Sequence, residues 1–372
     1  MNKPDIAIIG ASLFQDPLIL KAKELGYKTH VFAWAADDIG EKHADHFYPI
    51  SITEKEEIYK KCMEIGVRCV VSIGSDLAVH TVNYIQRKLG LPCNSERCDL
   101  TATNKYLMRQ AFMQAGVPCP KFIKVGKIPE EIDLAGMTYP LIVKPTDRSG
   151  SRGITKVENY DDVCKAVPES AELSFEKSAI IEEFIEGNEY SCECISFEGK
   201  HSFLAFTKKY TTGAPHFIET GHMEPSDIPE DLHENFKEQI FKALDALDIR
   251  YGASHTEFRI TPDGQIRIIE IGPRMGGDFI GSDLVYLSTG YDFLKMVIDA
   301  AQGIEPAVVS EHSPAAARVF FLTDIESVEK YNETKKLYPE TIFREGDTDG
   351  NFNFNFTDSG SRHGYYITVN KG

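Results

Sequence analysis

One segment constrains the fold most, because it predicts both a β-hairpin and the register of its strands. Residues 251–274 read YGASHTEFRITPDGQIRIIEIGPR. The pair Asp263-Gly264, flanked by strand-like runs, is typical of a two-residue hairpin turn. Residues equally far from that turn face each other, which sets Glu257 opposite Glu270. Directly opposite residues have Cβ atoms about 4.5–5.5 Å apart.

Two glutamates at that distance repel each other, so the hairpin needs compensation. Either one carboxylate is protonated or a cation lies between them, and Mg²⁺ shared with phosphates suits such paired oxygens. Arg259 on the same face is an alternative partner, and two solvated glutamates are another. His255, also on this face, lines a cleft or, as we favour, is a hydrogen-bonded strand residue. A bulged turn at Pro262 would shift the register and weaken this geometry.

The composition argues against several classes of function. The 372 residues include 40 Lys and Arg against 57 Asp and Glu, a formal net charge of −17. Such an acidic surface repels nucleic acid and anionic membranes, and no run of about 18 apolar residues is available to span a bilayer. The eight cysteines show no framework spacing and the N-terminus shows no secretory signal, so we predict a reduced, cytoplasmic protein.

The first hundred residues alternate strand and helix, which predicts a small parallel sheet. Strand-like runs occupy residues 5–10, 28–34 and 69–73, and the last of them ends at Gly-Ser-Asp, residues 74–76. Residues 10–12 lack the three spaced glycines of a dinucleotide fingerprint, so NAD binding is not assigned. We expect this sheet to form one wall of a substrate pocket at the carboxyl ends of its strands.

From residue 141 onwards, short strands, hairpins and glycine-rich turns replace this alternation. Helices are predicted at 104–115, 232–247 and 290–303, and C-terminal strands at 317–322 and 364–369. The sequence therefore predicts an α/β protein in which a parallel domain precedes an α+β region.

Two lysines and a small-residue loop favour phosphate binding. Lys144 ends an apolar strand and precedes the loop Ser-Gly-Ser-Arg-Gly at residues 149–153. Small residues leave backbone N–H groups free to surround phosphates, and such a loop can close as a lid. This is not a Walker A loop, because the lysine precedes the glycines. Lys105 opens a helix, where the dipole also favours an anion. Taken alone, Lys105 would by default be an ordinary surface residue.

An acidic segment and a glycine-rich turn complete the candidate set. Residues 180–189, IIEEFIEGNE, could contact an adenine edge through the backbone and a ribose through carboxylates, although a charged strand end is the plainer alternative. Residues 272–277, GPRMGG, combine glycines that permit close ligand approach with Arg274, a planar fork for a carboxylate or phosphoryl group. A tight turn with an outward-packed arginine is the alternative there.

In this order, the features resemble the ATP-grasp superfamily over residues 105–303. Residues 208–225 (KKYTTGAPHFIETGHMEP) and 358–365 (DSGSRHGY) look like carboxylate–amine ligases of the L-amino-acid ligase kind. The resemblance implies an α/β (α+β ATP-grasp) fold. It divides the chain into an N-terminal Rossmann-like domain (1–100), a small lobe (101–187), a large lobe with the metal site (188–310) and a C-terminal β-rich segment (311–372).

The resemblance also implies a role for each matching residue. Catalytic roles fall to Arg274, which would steady an acyl phosphate, and to Lys144. Contacts with ATP phosphates, adenine and ribose fall to Lys105, Lys144, Ser149, Gly150, Ser151, Arg152, Gly153, Glu182, Glu183, Phe184, Ile185 and Glu189. Mg²⁺ falls to Glu257 and Glu270, in agreement with the hairpin argument. The substrate falls to His222, expected in a turn, with Arg274, Gly276 and Gly277.

One residue departs from the motif. The usual metal motif reads Glu-x-Asn-x-Arg, and Gly272 here replaces the asparagine, which leaves open whether one or two Mg²⁺ (or Mn²⁺) ions bind. The implied activity is ADP-forming ligation of a small-molecule carboxylate, amino-acid-like, to an amine through an acyl phosphate. A homodimer is the assembly it suggests, without nucleic acid or membrane partners. A bicarbonate-dependent carboxylase and a non-catalytic nucleotide-binding regulator are the alternatives.

Overall fold

The computed structural model describes residues 3–126, 132–150, 152–214, 217–350, 352, 354, 359, 362 and 364–370. Its strands are β1 (Asp5–Ile9), β2 (Lys28–Phe32), β3 (His46–Tyr48), β4 (Val70–Val71), β5 (Phe122–Gly126), β6 (Leu141–Pro145), β7 (Thr155–Val157), β8 (Ser178–Glu183), β9 (Asn188–Phe197), β10 (Lys200–Thr211), β11 (Glu219–Glu224), β12 (Gly252–Ile260), β13 (Ile266–Gly272), β14 (Ala316–Phe321), β15 (Ile342–Gly346) and β16 (Tyr365–Asn370). Its helices are α1 (Asp16–Glu24), α2 (Ile39–His43), α3 (Lys55–Ile65), α4 (Asp76–Leu89), α5 (Glu96–Thr103), α6 (Lys105–Ala115), α7 (Tyr160–Leu173), α8 (Glu230–Ala246), α9 (Val285–Thr289), α10 (Phe293–Ala301) and α11 (Ile325–Leu337).

The N-terminal strands form the predicted parallel sheet, in the order β3-β2-β1-β4. Both faces of β1 are buried: Ile6 and Ile8 belong to one apolar core, and Ala7 and Ile9 to another. This explains why β1 is a continuous apolar run, because a parallel sheet is covered by other elements on both sides. The first of the two cores also contains residues of α10, from much later in the chain.

A small antiparallel sheet, β5-β8-β6-β7, follows in the chain. Helix α7 covers one of its faces, with Val163 and Val167 packed into a core that includes Val143 and Ile181. The opposite face of this sheet is left to form a wall of the cleft described below. Lys144 and Glu182 lie on its neighbouring strands β6 and β8.

An eight-stranded antiparallel sheet, β13-β12-β9-β10-β11-β14-β16-β15, forms the remainder of the molecule. The C-terminal strands extend this sheet rather than forming a separate one, because β14 pairs with β11 from Gly221↔Phe320 to Glu224↔Ala317. Helix α8 packs on its other end, where Phe236 and Ile240 join a core with Phe258 and Ile268.

Capping side chains fix the starts of two helices that point into the cleft. The Asn104 side chain accepts hydrogen bonds from the N–H groups of Tyr106 and Leu107, both at 3.1 Å, which makes Lys105 the first residue of α6. The Ser75 hydroxyl caps α4 in the same way, accepting from Ala78 at 3.3 Å. Among the described helices, none is long and apolar enough to cross a membrane.

Candidate functional site

A cleft runs between the small sheet and the eight-stranded sheet. It consists of two adjoining cavities with empty volumes of about 570 and 690 Å³. Both cavities are lined by Lys144, Ile154, Glu219, Glu257 and Glu270, so these residues lie where the two meet. Most of the candidate residues therefore come together in one continuous space.

The hairpin prediction is confirmed at the glutamates, although the turn is different. Glu257 pairs with Glu270 across β12 and β13. The expected two-residue turn is wrong: the loop spans residues 261–265, because Ile260 pairs with Ile266. This longer loop offsets the register near the turn by one residue. A β-bulge at Ile269 then adds one residue to β13 and restores the pairing at the glutamates.

Lysines compensate for the two opposed carboxylates. Lys105 Nζ lies 2.8 Å from Glu270 Oε1, and Lys209 donates a hydrogen bond to Glu257. Burial favours a neutral carboxyl, yet Lys209 and His255 hold the pKa of Glu257 well below its usual value. Arg259, the alternative partner considered above, pairs with neither glutamate; it donates to Glu189 at 2.8 Å. The two glutamate side chains remain 26% and 27% exposed, within reach of a ligand.

His255 is the hydrogen-bonded strand residue that we favoured, and it also lines the cleft. Its ring lies between two carboxylates: Nδ1 contacts Glu193, and Nε2 lies 3.4 Å from Glu257 Oε1. Burial disfavours the imidazolium, but the Glu193 carboxylate outweighs it and raises the pKa of His255 to about 9. His255 therefore adds positive charge beside Glu257 at neutral pH.

A buried ion triad lies on the small-sheet side. Glu182 lies 2.6 Å from Lys144 Nζ and 2.7 Å from Arg109 Nε, and all three side chains are 5% exposed or less. Burial lowers the pKa of Lys144 even though Glu182 opposes that change. Arg109 also donates to the carbonyl of Ile269, so the triad supports the bulge of the hairpin. The Glu182 carboxylate is committed to these cations, which limits its predicted contact with adenine to the backbone.

The predicted phosphate loop borders the first cavity. Ser149, Gly150 and Arg152 line it, and Ser151 lies outside the described residues. Lys105 Nζ donates to the Arg148 carbonyl at 2.6 Å, which ties the start of the loop to α6.

Gly153 is needed for packing and lines neither of the two cavities. Its φ is +72°, and a Cβ there would lie 2.6 Å from Leu173 Cδ1. Because few side chains tolerate that conformation and the Leu173 side chain would have to move, a glycine is favoured at the base of the loop.

The second cavity holds the predicted adenine and ribose residues. Glu183, Phe184, Ile185 and Glu189 line it, together with Phe217 and Arg259. The Arg259 guanidinium lies 4.9 Å from the Phe184 ring centroid and 5.9 Å from that of Phe217. Apolar rings therefore flank this cavity beside the Arg259 guanidinium, a suitable environment for a flat heterocycle.

Gly276, in the turn that follows β13, was predicted to lie beside the substrate, and its contacts are with Glu193 and His255. Its N–H donates to Glu193 Oε2 at 2.9 Å, and a Cβ at this position would lie 2.8 Å from both Glu193 and His255. Gly276 is thus required by the Glu193–His255 pair, which accounts for the glycine without a substrate carboxylate. A Cβ at Gly277 would meet nothing within 4 Å. Arg274 lines the first cavity and donates to Asp76, the first residue of α4.

His222 lies in strand β11, so the predicted turn is wrong. Its side chain is buried and lines neither of the two cavities. Nε2 lies 3.3 Å from Asp278 Oδ2, and Asp278 also receives two hydrogen bonds from Arg362. Burial lowers the pKa of His222 although Asp278 opposes it. A direct contact of His222 with substrate has no support in this geometry.

Sequence reasoning missed several charged residues of the site. They are Asp76, Arg109, Glu193, Lys209 and Glu219. Asp76 had a signal, because it directly follows the third parallel strand at the sheet edge where ligands bind. Lys209 had none, since Lys208 and Lys209 alternate along β10 and the sequence does not tell which one points inward.

The donor set suits a hard cation in part. No group of three or more His, Cys, Asp or Glu side chains among the described residues is placed to hold a metal ion. Glu257 and Glu270 supply two carboxylates in a partly open cavity, and Mg²⁺ commonly takes one or two carboxylates together with substrate phosphates and water. The residues present therefore fit a magnesium ion that arrives with a nucleotide, rather than an all-protein metal cage.

Comparisons with known proteins match the part of the chain that forms most of this cleft. A profile of the ATP-grasp domain matches residues 137–283. Alanine--anticapsin ligase of Bacillus amyloliquefaciens is 26% identical over 267 residues, 65% of this chain and 55% of that protein. The chain thus spans about half the length of such curated relatives.

Solved structures share the fold over the whole chain. The L-amino acid ligase from Bacillus licheniformis has a TM-score of 0.82 at 20% identity, covering 100% of this chain and 94% of that one. An ADP complex of N5-carboxyaminoimidazole synthetase from Staphylococcus aureus has a TM-score of 0.78 at 18% identity, covering 100% and 95%. Residues 137–283 therefore match the ATP-grasp domain, and the chain shares its fold with these ligase and synthetase structures.

Proposed function

We propose that this chain is an ATP- and Mg²⁺-dependent, ADP-forming ligase that joins a carboxylate to an amine through an acyl phosphate. The observation that carries the proposal is the pair Glu257 and Glu270, held opposite each other in a cleft that also presents Lys105, Lys144 and Arg274. Two acids among three cations match the needs of a polyphosphate with its metal. The alanine--anticapsin ligase relative and the L-amino acid ligase neighbour support the same activity.

Glu257 and Glu270 would hold the magnesium ion. When bound, the ion offsets the negative charge of the phosphate oxygens. Lys105 is well placed for the same task, because its Nζ has three donors and uses two, on Glu270 and the Arg148 carbonyl. Lys144 has one carboxylate partner and also lines both cavities. Each ammonium thus keeps a donor for a phosphate oxygen.

The chemistry then follows in two displacements. A carboxylate oxygen of the first substrate attacks the γ-phosphorus, the bond to the bridging oxygen breaks, and ADP leaves. The amine nitrogen attacks the acyl carbon, phosphate leaves, and the amide forms with loss of one N–H proton. Arg274 would steady the phosphoryl oxygens, and the loop at residues 149–153 would shield the intermediate from water.

The nucleotide would lie across both cavities. Adenine would contact the backbone at residues 182–185 and the Phe184 ring, and ribose would approach Glu189. Glu189 already accepts from Arg259 at 2.8 Å, so a ribose hydroxyl would add to an existing ion pair. This arrangement leaves the Arg274 end of the first cavity for the acid and the amine.

The domain boundaries, the substrate class, the assembly and the cellular location are also proposals. We propose boundaries near residues 100, 187 and 310, amino-acid-like substrates, a homodimer and a cytoplasmic location. Eight free cysteines support the reducing compartment. Light scattering of the purified protein would report the assembly, and cell fractionation the location.

A carboxylase that activates bicarbonate is the second candidate. It is favoured by the shared fold with the N5-carboxyaminoimidazole synthetase structure. A nucleotide-binding regulator without catalysis is a third candidate, and Gly272 in place of the usual asparagine favours it.

The test is phosphate release from MgATP, screened against carboxylates with and without amines and bicarbonate. Release of ADP and phosphate that needs both an acid and an amine would support the ligase. Release that needs bicarbonate would favour the carboxylase. Tight MgATP binding without release under any condition would favour the regulator.

The metal assignment has its own prediction: Glu270→Gln should abolish turnover and leave the fold intact. The exposed Glu305→Gln is the matched control, because it removes the same charge away from the cleft. Circular dichroism would check the fold, and calorimetry would report Mg²⁺-dependent ADP binding. Near-normal ligation by Glu270→Gln would refute the assignment.

A further inference from the structure

Arg274 is held by a residue of the N-terminal domain. Its Nε donates to Asp76 Oδ1 at 2.7 Å and its Nη2 to Asp76 Oδ2 at 3.1 Å. The two side chains are 18% and 21% exposed, and both line the first cavity of the cleft. A bidentate pair of this kind fixes the plane of the guanidinium as well as its position.

Gly272 gives independent evidence for the importance of this pair. A Cβ at residue 272 would lie 2.8 Å from Asp76 Oδ1 and 3.0 Å from Arg274 Cζ. Its φ lies outside the left-handed region, so its backbone does not require a glycine. The glycine is therefore explained by volume: the Asp76 carboxylate and the Arg274 guanidinium occupy the space where a side chain at 272 would begin.

The main chain around Asp76 is anchored on both sides. Asp76 is the first residue of α4, whose N-terminus is capped by Ser75, and a carboxylate there is stabilised by the helix dipole. The preceding Gly74 donates from its N–H to the Met275 carbonyl at 3.3 Å. The turns at residues 74–76 and 274–277 are thus linked directly, one from each domain.

We propose that Asp76 is a positioning residue that orients Arg274 for its oxyanion, and that Gly272 is required because Asp76 takes the place of a side chain there. The inference rests on the proposed function, because it assumes that Arg274 steadies a phosphoryl group.

The number of hydrogen bonds that Arg274 makes supports this role of Asp76. A guanidinium has five N–H donors. Asp76 takes two of them, and the Met275 carbonyl accepts a third from Nη1 at 3.3 Å. Two donors remain for an oxyanion in the cavity that Arg274 lines. Without Asp76 the same side chain could rotate, and a displacement of about 1 Å can cost about 100-fold in rate.

The rival explanation is a tether that only holds two domains together. To separate the two, we would measure affinity for MgADP and then affinity of the MgADP complex for inorganic phosphate, by calorimetry. The variants are Asp76→Ala and Asp76→Asn, with Asp99→Asn as control. Asp99 pairs with Arg87 at 2.6 Å and is more buried than Asp76, with its side chain 7% exposed against 21%, but it lines no part of the cleft cavities.

For Asp76→Ala we expect phosphate affinity to fall at least about 10-fold, with MgADP affinity close to that of Asp99→Asn and a Tm no lower than that of Asp99→Asn. Asp76→Asn should fall between wild type and alanine, because it keeps the shape and one acceptor. Unchanged phosphate affinity in Asp76→Ala, or an equal loss of MgADP affinity, would overturn the proposal in favour of the tether. A wild-type MgADP complex that binds no phosphate would overturn it as well.

The claim that Asp76 occupies the space of a side chain at residue 272 has a separate test, which needs no substrate. Gly272→Ala should lower Tm in the wild-type background and lower it less in the Asp76→Ala background, since the 2.8 Å contact with Asp76 Oδ1 is then removed and Arg274 is free to move away from the new Cβ. Equal shifts in both backgrounds would refute the shared volume. Failure of the ligase proposal would show differently, as absence of acid- and amine-dependent phosphate release, while both of these tests could still succeed.

Discussion

The two walls of the cleft differ in how deeply their charges are buried. On the small-sheet wall, Lys144, Glu182 and Arg109 form an ion triad with side chains 5% exposed or less. On the opposite wall, the side chains of Glu257 and Glu270 are about a quarter exposed. In the triad, every charge has a fixed protein partner and a ligand can replace none of them cheaply. On the hairpin, each carboxylate has a lysine partner but also faces open space. The comparison teaches that exposure, more than the presence of an ion pair, separates a carboxylate that maintains the small sheet from carboxylates that can meet a ligand.

The largest expected effect comes from breaking the triad. Glu182→Gln leaves the ammonium of Lys144 and the guanidinium of Arg109 without a counter-charge in a buried site, which should lower the free energy of unfolding by about 3–5 kcal/mol. Urea unfolding followed by circular dichroism would measure it.

Glu257→Gln is the matched variant on the open wall. It should cost clearly less, because Lys209 retains Glu189 at 3.4 Å and Glu219 at 3.7 Å. Equal losses in the two variants would remove the distinction between the walls.

A smaller loss of stability should come from a side chain placed against the Glu193–His255 pair, which lies beside Glu257. In Gly276→Ala the new Cβ would meet Glu193 and His255 at 2.8 Å. Displacing that pair should cost about 1–3 kcal/mol and should weaken MgADP binding, because His255 contacts Glu257. Thermal unfolding and calorimetry would measure the two effects.

Gly277→Ala is the neighbouring control, since its Cβ would meet nothing within 4 Å and its φ is not left-handed. It should stay within about 0.5 kcal/mol of wild type. If both alanine variants behave alike, the Glu193–His255 pair does not account for Gly276.

The smallest expected effect concerns Glu224, a buried carboxyl that differs from those of both walls because it has no cationic partner among its hydrogen bonds within the described residues. Glu224 is fully buried and its partners are the hydroxyls of Thr207 and Ser288. Burial, only partly offset by these hydroxyls, raises its pKa from 4.5 to about 8. Where cations are close a buried acid stays charged, and where only hydroxyls are close it stays neutral.

The pH dependence follows from that shift. Between pH 4.5 and about 8 the folded protein holds a proton on Glu224 that the unfolded chain has lost. This contribution to stability is therefore full below pH 4.5 and declines as pH rises through 8, by about 1 kcal/mol between pH 6 and pH 7. Glu224→Gln should lack the decline, so its stability relative to wild type should rise with pH. Unfolding at pH 5, 6 and 7 would test it, and parallel curves would contradict it.

The sequence predicted the parallel sheet, because strand alternation is a local pattern. It also predicted the opposed glutamates from the hairpin signal, although they meet only because the bulge at Ile269 offsets the longer turn. It could not predict contacts between distant segments. Asp76 meets Arg274 across 198 positions, and Lys105 meets Glu270 across 165. The turn predicted at His222 was wrong, because pairing of β11 with β10 and β14 overrides the local turn preference of Thr-Gly.

The bulge at Ile269 has a consequence for how this hairpin can vary. The loop at residues 261–265 sets one register and the bulge resets it before Glu270, and Arg109 fixes the bulge from outside the hairpin. The bulge thereby separates changes in loop length from the opposed pair Glu257 and Glu270. Insertions at the loop tip should be tolerated in engineering or divergence. Deletion of the single residue Ile269 would remove the bulge and the carbonyl that accepts from Arg109, while Glu270 would stay opposite Glu257.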